Sequence, residues 1–299
     1  MKTLLLYNPV SGRGLFKKHI PAIIRRYEEE HRHLDVYAST SEKDLEKQAA
    51  LKAKDYDVFL VGGGDGTVNE VVNGLMKSDT RPAIGIFPSG TANDIASMLG
   101  IPKSVKKATE MFLSETPVMM DINRMNGRYF VYTAASGILT RVSYDISRRL
   151  LRKYGYLAYV FEGMKDFFEE YRYPVRIVHD NGVFEDEVIM VLGLASNRVG
   201  GMTLSRFSPS RLNDGKFELR IFQSKRKFRR FRVLSFFIRR GKKLREDIHL
   251  VSSRYEIVTD QSVTWNMDGE MADKGSVTIE VLREQIPFYV NPKVRKTHF

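Results

Sequence analysis

The first third of the chain repeats one pattern: a short apolar run, a polar turn, then apolar residues at helical spacing. The apolar runs are Thr3–Tyr7, Leu34–Ala38, Val58–Val61 and Ala83–Phe87, each of a length and composition that predicts a buried strand. Ile20, Ile23, Ile24 and Tyr27 follow the first run. Leu45, Ala49 and Leu51 follow the second, and Val68, Val71, Val72, Leu75 and Met76 the third. Each set falls on one side of a helix. Strand and helix alternating to about residue 120 predict a doubly wound α/β domain. After Asp121 the pattern changes. Arg128–Ala135, Val175–His179, Val183–Ala195, Lys216–Gln223, Tyr255–Thr259, Ser262–Met267 and Ser276–Val281 read as strands joined mostly by turns. They predict a second, mainly antiparallel β-sandwich domain, interrupted by helical stretches near residues 140–171 and 226–246. The expected division is 1–121 and 122–286.

The turns of the first domain carry the candidate chemistry. Gly62-Gly63-Gly64-Asp65-Gly66-Thr67-Val68-Asn69-Glu70 joins the third strand to its helix. Glycine lets the backbone turn sharply and lets a ligand approach it. The N–H groups at the start of the helix, with the helix dipole, favour an anion, and phosphate is the natural guest. Asp65 is unusual in a phosphate cradle, because a carboxylate repels phosphate; it fits a role through a metal ion or on a hydroxyl. Pro88-Ser89-Gly90-Thr91-Ala92-Asn93-Asp94 is a second Gly-Thr turn opening a helix. Two such turns after consecutive strands lie at the same edge of an open α/β sheet, where ligands bind. Asn8-Pro9-Val10-Ser11-Gly12 is the corresponding turn after the first strand. In the second domain, Asp268-Gly269-Glu270 ends a strand and Leu212-Asn213-Asp214-Gly215-Lys216 precedes one. By themselves these two segments also suit ordinary hairpin turns.

Composition narrows the partners. The 299 residues suit one large or two modest domains, and 42% hydrophobic content is enough for packed cores. Cysteine is absent, which excludes disulfides and thiolate zinc sites and fits a reducing compartment. The start, Met1-Lys2-Thr3-Leu4-Leu5-Leu6-Tyr7, has too short an apolar run for a signal peptide and reads better as a strand. No run reaches the length of a membrane span. The net charge of +12 points to anionic partners: nucleic acid, anionic lipid or nucleotide. Residues 225–245 hold eleven Lys or Arg and no acid, with Phe228, Phe231, Leu234 and Ile238 on one side of a helix. A basic amphipathic helix of this kind reads as a membrane-surface element. Arg148–Tyr154 is a smaller example.

The Gly-Gly-Asp-Gly-Thr turn resembles the loop shared by diacylglycerol, sphingosine and ceramide kinases and NAD kinases. It is not a Walker A loop, since no Gly-Lys-Ser/Thr follows. The Asn8–Gly12 turn, Gly90–Asp94, Asn213–Gly215 and Asp268–Glu270 extend the resemblance along most of the chain and favour the lipid kinases, bacterial diacylglycerol kinase above all. The resemblance implies an NAD-kinase-like first domain to which residues 287–299 return, and an ATP- and Mg²⁺-dependent lipid kinase. It implies nucleotide contacts from Asn8, Pro9, Val10, Ser11, Gly12, Thr40, Gly64, Asp65, Gly66, Thr67, Val68, Asn69, Glu70 and Thr91. Thr40 is matched without the glycine that relatives carry after it. Glu270 is implied as the proton acceptor, and Asp65 as the residue that positions the phosphates and the reacting hydroxyl. A structural Mg²⁺ is implied at the Asp214 carboxylate and the main-chain oxygens of Arg211 and Lys216, with Asp94 and Asp121 within reach through water. The lipid substrate would be met at an anionic membrane surface. That implies a cytoplasmic protein reversibly associated with the inner face of the membrane, with no nucleic-acid partner and with homodimer formation left open. The acceptor stays open too: phosphatidylglycerol, a sphingoid base or a polyprenol are alternatives to diacylglycerol. A non-catalytic binder of anionic membranes is the rival from another class.

Overall fold

The computed structural model describes residues 1–138, 171–207, 211–225, 229–243 and 247–299. The helical stretch expected near residues 140–171, with its Arg148–Tyr154 basic run, falls outside them apart from Tyr171. The chain forms two compact units, Met1–Ile122 with Arg283–Phe299, and Asn123–Leu282.

The first unit is built on four parallel strands, β1 (Thr3–Tyr7), β2 (Leu34–Ala38), β3 (Val58–Gly63) and β4 (Ala83–Pro88), in the order β4-β3-β1-β2. The register sets Leu5 beside Val36 and Leu60, and Leu60 beside Gly85. The crossovers carry helices α1 (Ile20–Glu29), α2 (Asp44–Lys52) and α3 (Asp65–Leu75); α4 (Asp94–Met98) and α5 (Val105–Ser114) follow β4. Val58 to Gly63 are all buried, as a strand covered on both faces requires. Phe16, Phe87, Phe112 and Tyr289 form a chain of rings with centroids 5.5, 5.2 and 5.3 Å apart, at the tilted and edge-on angles that ring quadrupoles favour. The end of the chain contributes to this unit: Phe288 pairs with Ile84 of β4, and Pro292–His298 is a short helix capped by Asn291 Oδ1.

The second unit is antiparallel. Its strands are β5 (Val118–Met125), which enters from the first unit, β6 (Arg128–Phe130), β7 (Thr133–Gly137), β8 (Tyr173–His179) and β9 (Gly182–Leu194). A two-residue hairpin, β10 (Arg198–Val199) and β11 (Met202–Thr203), precedes β12 (Phe217–Gln223). Then come β13 (Ile248–Ser252), β14 (Arg254–Thr259), β15 (Thr264–Met267), β16 (Glu270–Lys274) and β17 (Val277–Phe288), whose residues from Arg283 on belong to the first unit. β9 is the hub, pairing with β7, β8 and β12. This explains the buried apolar run Val188–Leu194 in its second half. Val188 and Val191 enter one core with Phe217, Tyr255, Ile257 and Trp265, while Ile189, Met190, Leu192 and Leu194 enter another with Leu204, Phe207, Phe222 and Phe236. Trp265 is fully buried and its indole N–H donates to the Gly275 carbonyl at 2.9 Å. The expected helix within 226–246 is α6 (Arg229–Ile238); Val233 and Phe236 are its inward residues.

Candidate active site

In the first unit the turns after β1, β3 and β4 meet at the carboxyl ends of the parallel strands. Asn8 N–H donates to Gly62 O at 3.0 Å, and Ser89 N–H to Gly63 O at 2.9 Å. The approach is close enough to demand glycine. A Cβ at Gly12, where φ is +57°, would lie 2.0 Å from Ser89 O, and one at Gly90 would lie 2.5 Å from Gly64 Cα. Glycine thus serves the packing of these turns on one another as well as any ligand. Gly62 gives way to the Phe16 ring in the same manner.

Two side chains pin the cluster. Asp65, the first residue of α3, accepts the Ile95 N–H of α4 through Oδ1 at 2.9 Å, joining the two Gly-Thr turns. Asn93 sits in the left-handed region (φ 53°), accepts Gly90 N–H at 2.8 Å and donates to Gly90 O at 2.9 Å. Within the Asn8 turn, Asn8 Oδ1 accepts the Val10 N–H at 3.0 Å, and Val10 projects into solvent. Gly64 caps α3, and Val68 is the first residue whose N–H returns to it, at 3.1 Å. The N–H groups of Gly66 and Thr67 precede that bond and have no partner within the helix, so the turn can receive an anion. Ser89 Oγ is shut off from solvent here with no hydrogen-bond partner. A buried hydroxyl of that kind fits a polar ligand such as a nucleotide.

The other candidates of this unit lie around that cluster or behind it. Thr67 and Val68 are buried, Asn69 and Glu70 half-buried, and Thr91 exposed. Thr40, at the end of β2, gives both its N–H and its hydroxyl to Asp44 Oδ2, at 2.8 and 3.0 Å. The Thr40 N–H, more than any other group, holds the Asp44 carboxyl below the usual aspartate range. Asp121 accepts the Glu284 N–H at 2.8 Å, and Asp94 is fully buried.

In the second unit Asp268-Gly269 is the two-residue turn between β15 and β16, with φ of 49° and 92°. Positive φ at both positions is the geometry that selects Asp-Gly in hairpins. The turn is anchored from an unforeseen direction. The Asp268 carboxylate is buried and accepts the consecutive N–H groups of Val131, Tyr132 and Thr133 at 2.7, 2.9 and 3.1 Å, while Asp268 N–H donates to Thr133 O. Asn266 Oδ1 closes the turn on Gly269 N–H at 3.0 Å. Glu270 follows as the first, solvent-exposed residue of β16, held opposite Met267. The hairpin fixes the Glu270 backbone and leaves its carboxylate in solvent, where it could take a proton from an incoming hydroxyl. The anchoring role of Asp268 could not be found from sequence, because its partners lie about 135 residues away; only its Asp-Gly turn signal was visible.

The Asp214 turn is also closed on itself. Asp214 Oδ2 accepts the Arg211 N–H at 2.8 Å and Oδ1 the Lys216 N–H at 2.9 Å. Lys216 Nζ reaches Asp180 Oδ2 at 2.8 Å, and Asp180 also takes the Ser253 N–H at 2.9 Å. The Lys216 ammonium, followed by the Ser253 N–H, holds the Asp180 carboxyl far below the usual range. Each Asp214 oxygen spends one lone pair on the turn and keeps another. One carboxylate, main-chain carbonyls and water form a donor set of the kind Mg²⁺ accepts.

Residues 2–125 match the model of the diacylglycerol kinase catalytic domain. A diacylglycerol kinase of Bacillus subtilis (strain 168) is 35% identical over 273 residues, covering 89% of this chain and 88% of the relative. One of Staphylococcus carnosus (strain TM300) is 33% identical over 298 residues, 98% and 96% of the two chains. A crystal structure from Bacillus anthracis str. Sterne, 26% identical, matches 98% of this chain and 96% of its own with a TM-score of 0.83. With 33–35% identity extending over almost the whole chain, and motifs lying on the strand ends and hairpins just described, the chain belongs to the bacterial diacylglycerol kinase family of lipid kinases.

Proposed function

We propose that this chain transfers the γ-phosphoryl group of ATP to the free hydroxyl of diacylglycerol, forming phosphatidic acid and ADP. The observation that carries the reading is the Asp65–Ile95 bond at the meeting of the two Gly-Thr turns. It fixes the start of α3, whose first N–H groups, without a partner inside the helix, would receive nucleotide phosphate. Asn8, Pro9, Val10, Ser11 and Gly12 would border the nucleotide on one side and Gly64 to Glu70 on the other, with Thr40 and Thr91 at the rim.

In the reaction a bond forms from the lipid oxygen to the γ-phosphorus as the bond to the β–γ bridging oxygen breaks. Glu270 takes the hydroxyl proton, and ADP leaves with the electron pair. Positioning and electrostatics contribute most to such a transfer, and the base a smaller share. Asp65 therefore acts mainly by keeping the phosphate turn in place and addressing the reacting groups. Asp214, with the carbonyls of Arg211 and Lys216, would hold Mg²⁺, which when bound neutralises charge and stiffens the turn before β12. The lipid is met at an anionic membrane surface, to which the protein binds reversibly. The test is incubation with γ-labelled ATP, Mg²⁺ and mixed micelles containing diacylglycerol, phosphatidylglycerol, a sphingoid base or a polyprenol. Label in phosphatidic acid supports the proposal; label in one of the other lipids alone replaces its substrate.

A further inference from the structure

Helix α6 is apolar on two sides. Val233 and Phe236 are buried; Phe236 packs edge-on against Phe222 of β12 at 5.6 Å, in the core that holds Leu204 and Phe207. Phe231, Leu234 and Ile238 form a second stripe at i, i+3 and i+7, and they are 61%, 42% and 70% exposed. No other element among the described residues exposes more than one large apolar side chain. Three on one helix face form a patch, and a patch of this kind marks an interaction surface.

The surrounding charge identifies the partner. Residues 225–245 contain eleven basic residues and no acid. Among the described side chains of this stretch, Lys225 Nζ lies 3.0 Å from Asp186, and Arg232 is 2.9 Å from Asp247. Arg239, Arg240, Lys242 and Lys243, which follow the stripe, are exposed. An apolar stripe beside a basic rim is the form of a helix that lies in a membrane interface, its apolar residues among the acyl chains and its cations at anionic headgroups. A second copy of this chain would bring one basic rim against another, which disfavours self-association through this face.

We propose that α6 is the membrane-insertion element, with Phe231, Leu234 and Ile238 entering the acyl boundary of an anionic bilayer. This rests on the membrane reading above and makes insertion, rather than charge alone, the basis of attachment.

The probe is vesicles of phosphatidylcholine with phosphatidylglycerol, with and without brominated acyl chains. Phe231→Trp places an indole on the stripe, and the native Trp265 is fully buried and out of reach of contact quenching. Brominated vesicles should quench the added tryptophan. Phe231→Ser/Leu234→Ser/Ile238→Ser should reduce vesicle binding by about tenfold or more. It should phosphorylate a dispersed short-chain diacylglycerol at the wild-type rate, with an unchanged Tm as the check on folding. Vesicle binding by Phe231→Trp without quenching would overturn the proposal. So would wild-type binding by the folded triple variant, or concentration-dependent dimerisation through the stripe in place of vesicle binding. Wild-type protein that inserts yet phosphorylates no diacylglycerol would support insertion while removing the proposed reaction.

Discussion

The Asp268 carboxylate meets the Val131 N–H at 2.7 Å across 137 residues of sequence, and the same group holds the next two N–H groups of that segment. The hairpin that presents Glu270 is therefore fixed by a buried anion. Asp268→Ala leaves three buried donors without their acceptor, each of which costs about 1–3 kcal/mol. The expected loss of stability is about 3 kcal/mol or more, read from urea unfolding, with Asp268→Asn intermediate because it keeps one acceptor oxygen. A change near zero for the alanine variant would mean that this clamp is not what holds the hairpin.

Asp65 has a structural task, its bond to Ile95 N–H, and a proposed catalytic one. Asp65→Asn keeps an acceptor oxygen for Ile95 and removes the charge, so it should stay close to the wild-type Tm while kcat falls by about 100-fold or more. Asp65→Ala should lose the same activity and about 1–2 kcal/mol of stability as well. Full turnover by Asp65→Asn would restrict this residue to its structural bond.

The parallel strands were legible because their apolar runs are continuous and bounded by glycine turns, as Val58–Val61 before Gly62 illustrates. The hairpin at Asp268-Gly269 was legible for a similar local reason. Periodicity could not tell which side of α6 meets the core. Phe231, Leu234 and Ile238 satisfy the helical repeat as well as Val233 and Phe236 do, and the packing of Phe236 on Phe222 decides it. Thr40 was read, by resemblance, as a nucleotide contact. Its main attachment, to Asp44, needed the path of the chain after β2. The contacts that fix Asp65 and Asp268 come from residues far along the sequence, and no local pattern announces them.

Asp180 gives the turn before β12 a sensitivity to acid. Its folded pKa lies below the unfolded value, so its contribution is complete above the ordinary aspartate pKa, about 3.9, and is lost as pH falls through the lower folded value. Urea midpoints of wild type and Asp180→Asn should differ at pH 6 and converge as pH drops below about 4. A difference that stays constant down to pH 3 would remove Asp180 as the cause.

Asp214 separates metal binding from turn formation. Mg²⁺ should raise the Tm of the wild-type protein and leave that of Asp214→Asn unchanged, since the amide keeps an acceptor for the turn but lacks the charge that holds the ion. An equal response of both proteins to Mg²⁺ would place the ion elsewhere.

The most direct test of the proposed reaction compares wild type and Glu270→Gln in transfer of γ-labelled phosphate to diacylglycerol in mixed micelles, with ATP affinity measured on the same preparations. Glutamine keeps the shape of the side chain and cannot accept the proton. Labelled phosphatidic acid is expected from the wild type, and for Glu270→Gln a kcat lower by about 100-fold or more with unchanged ATP affinity. Absence of labelled phosphatidic acid from the wild type, or a wild-type kcat in the glutamine variant, would contradict the proposed reaction.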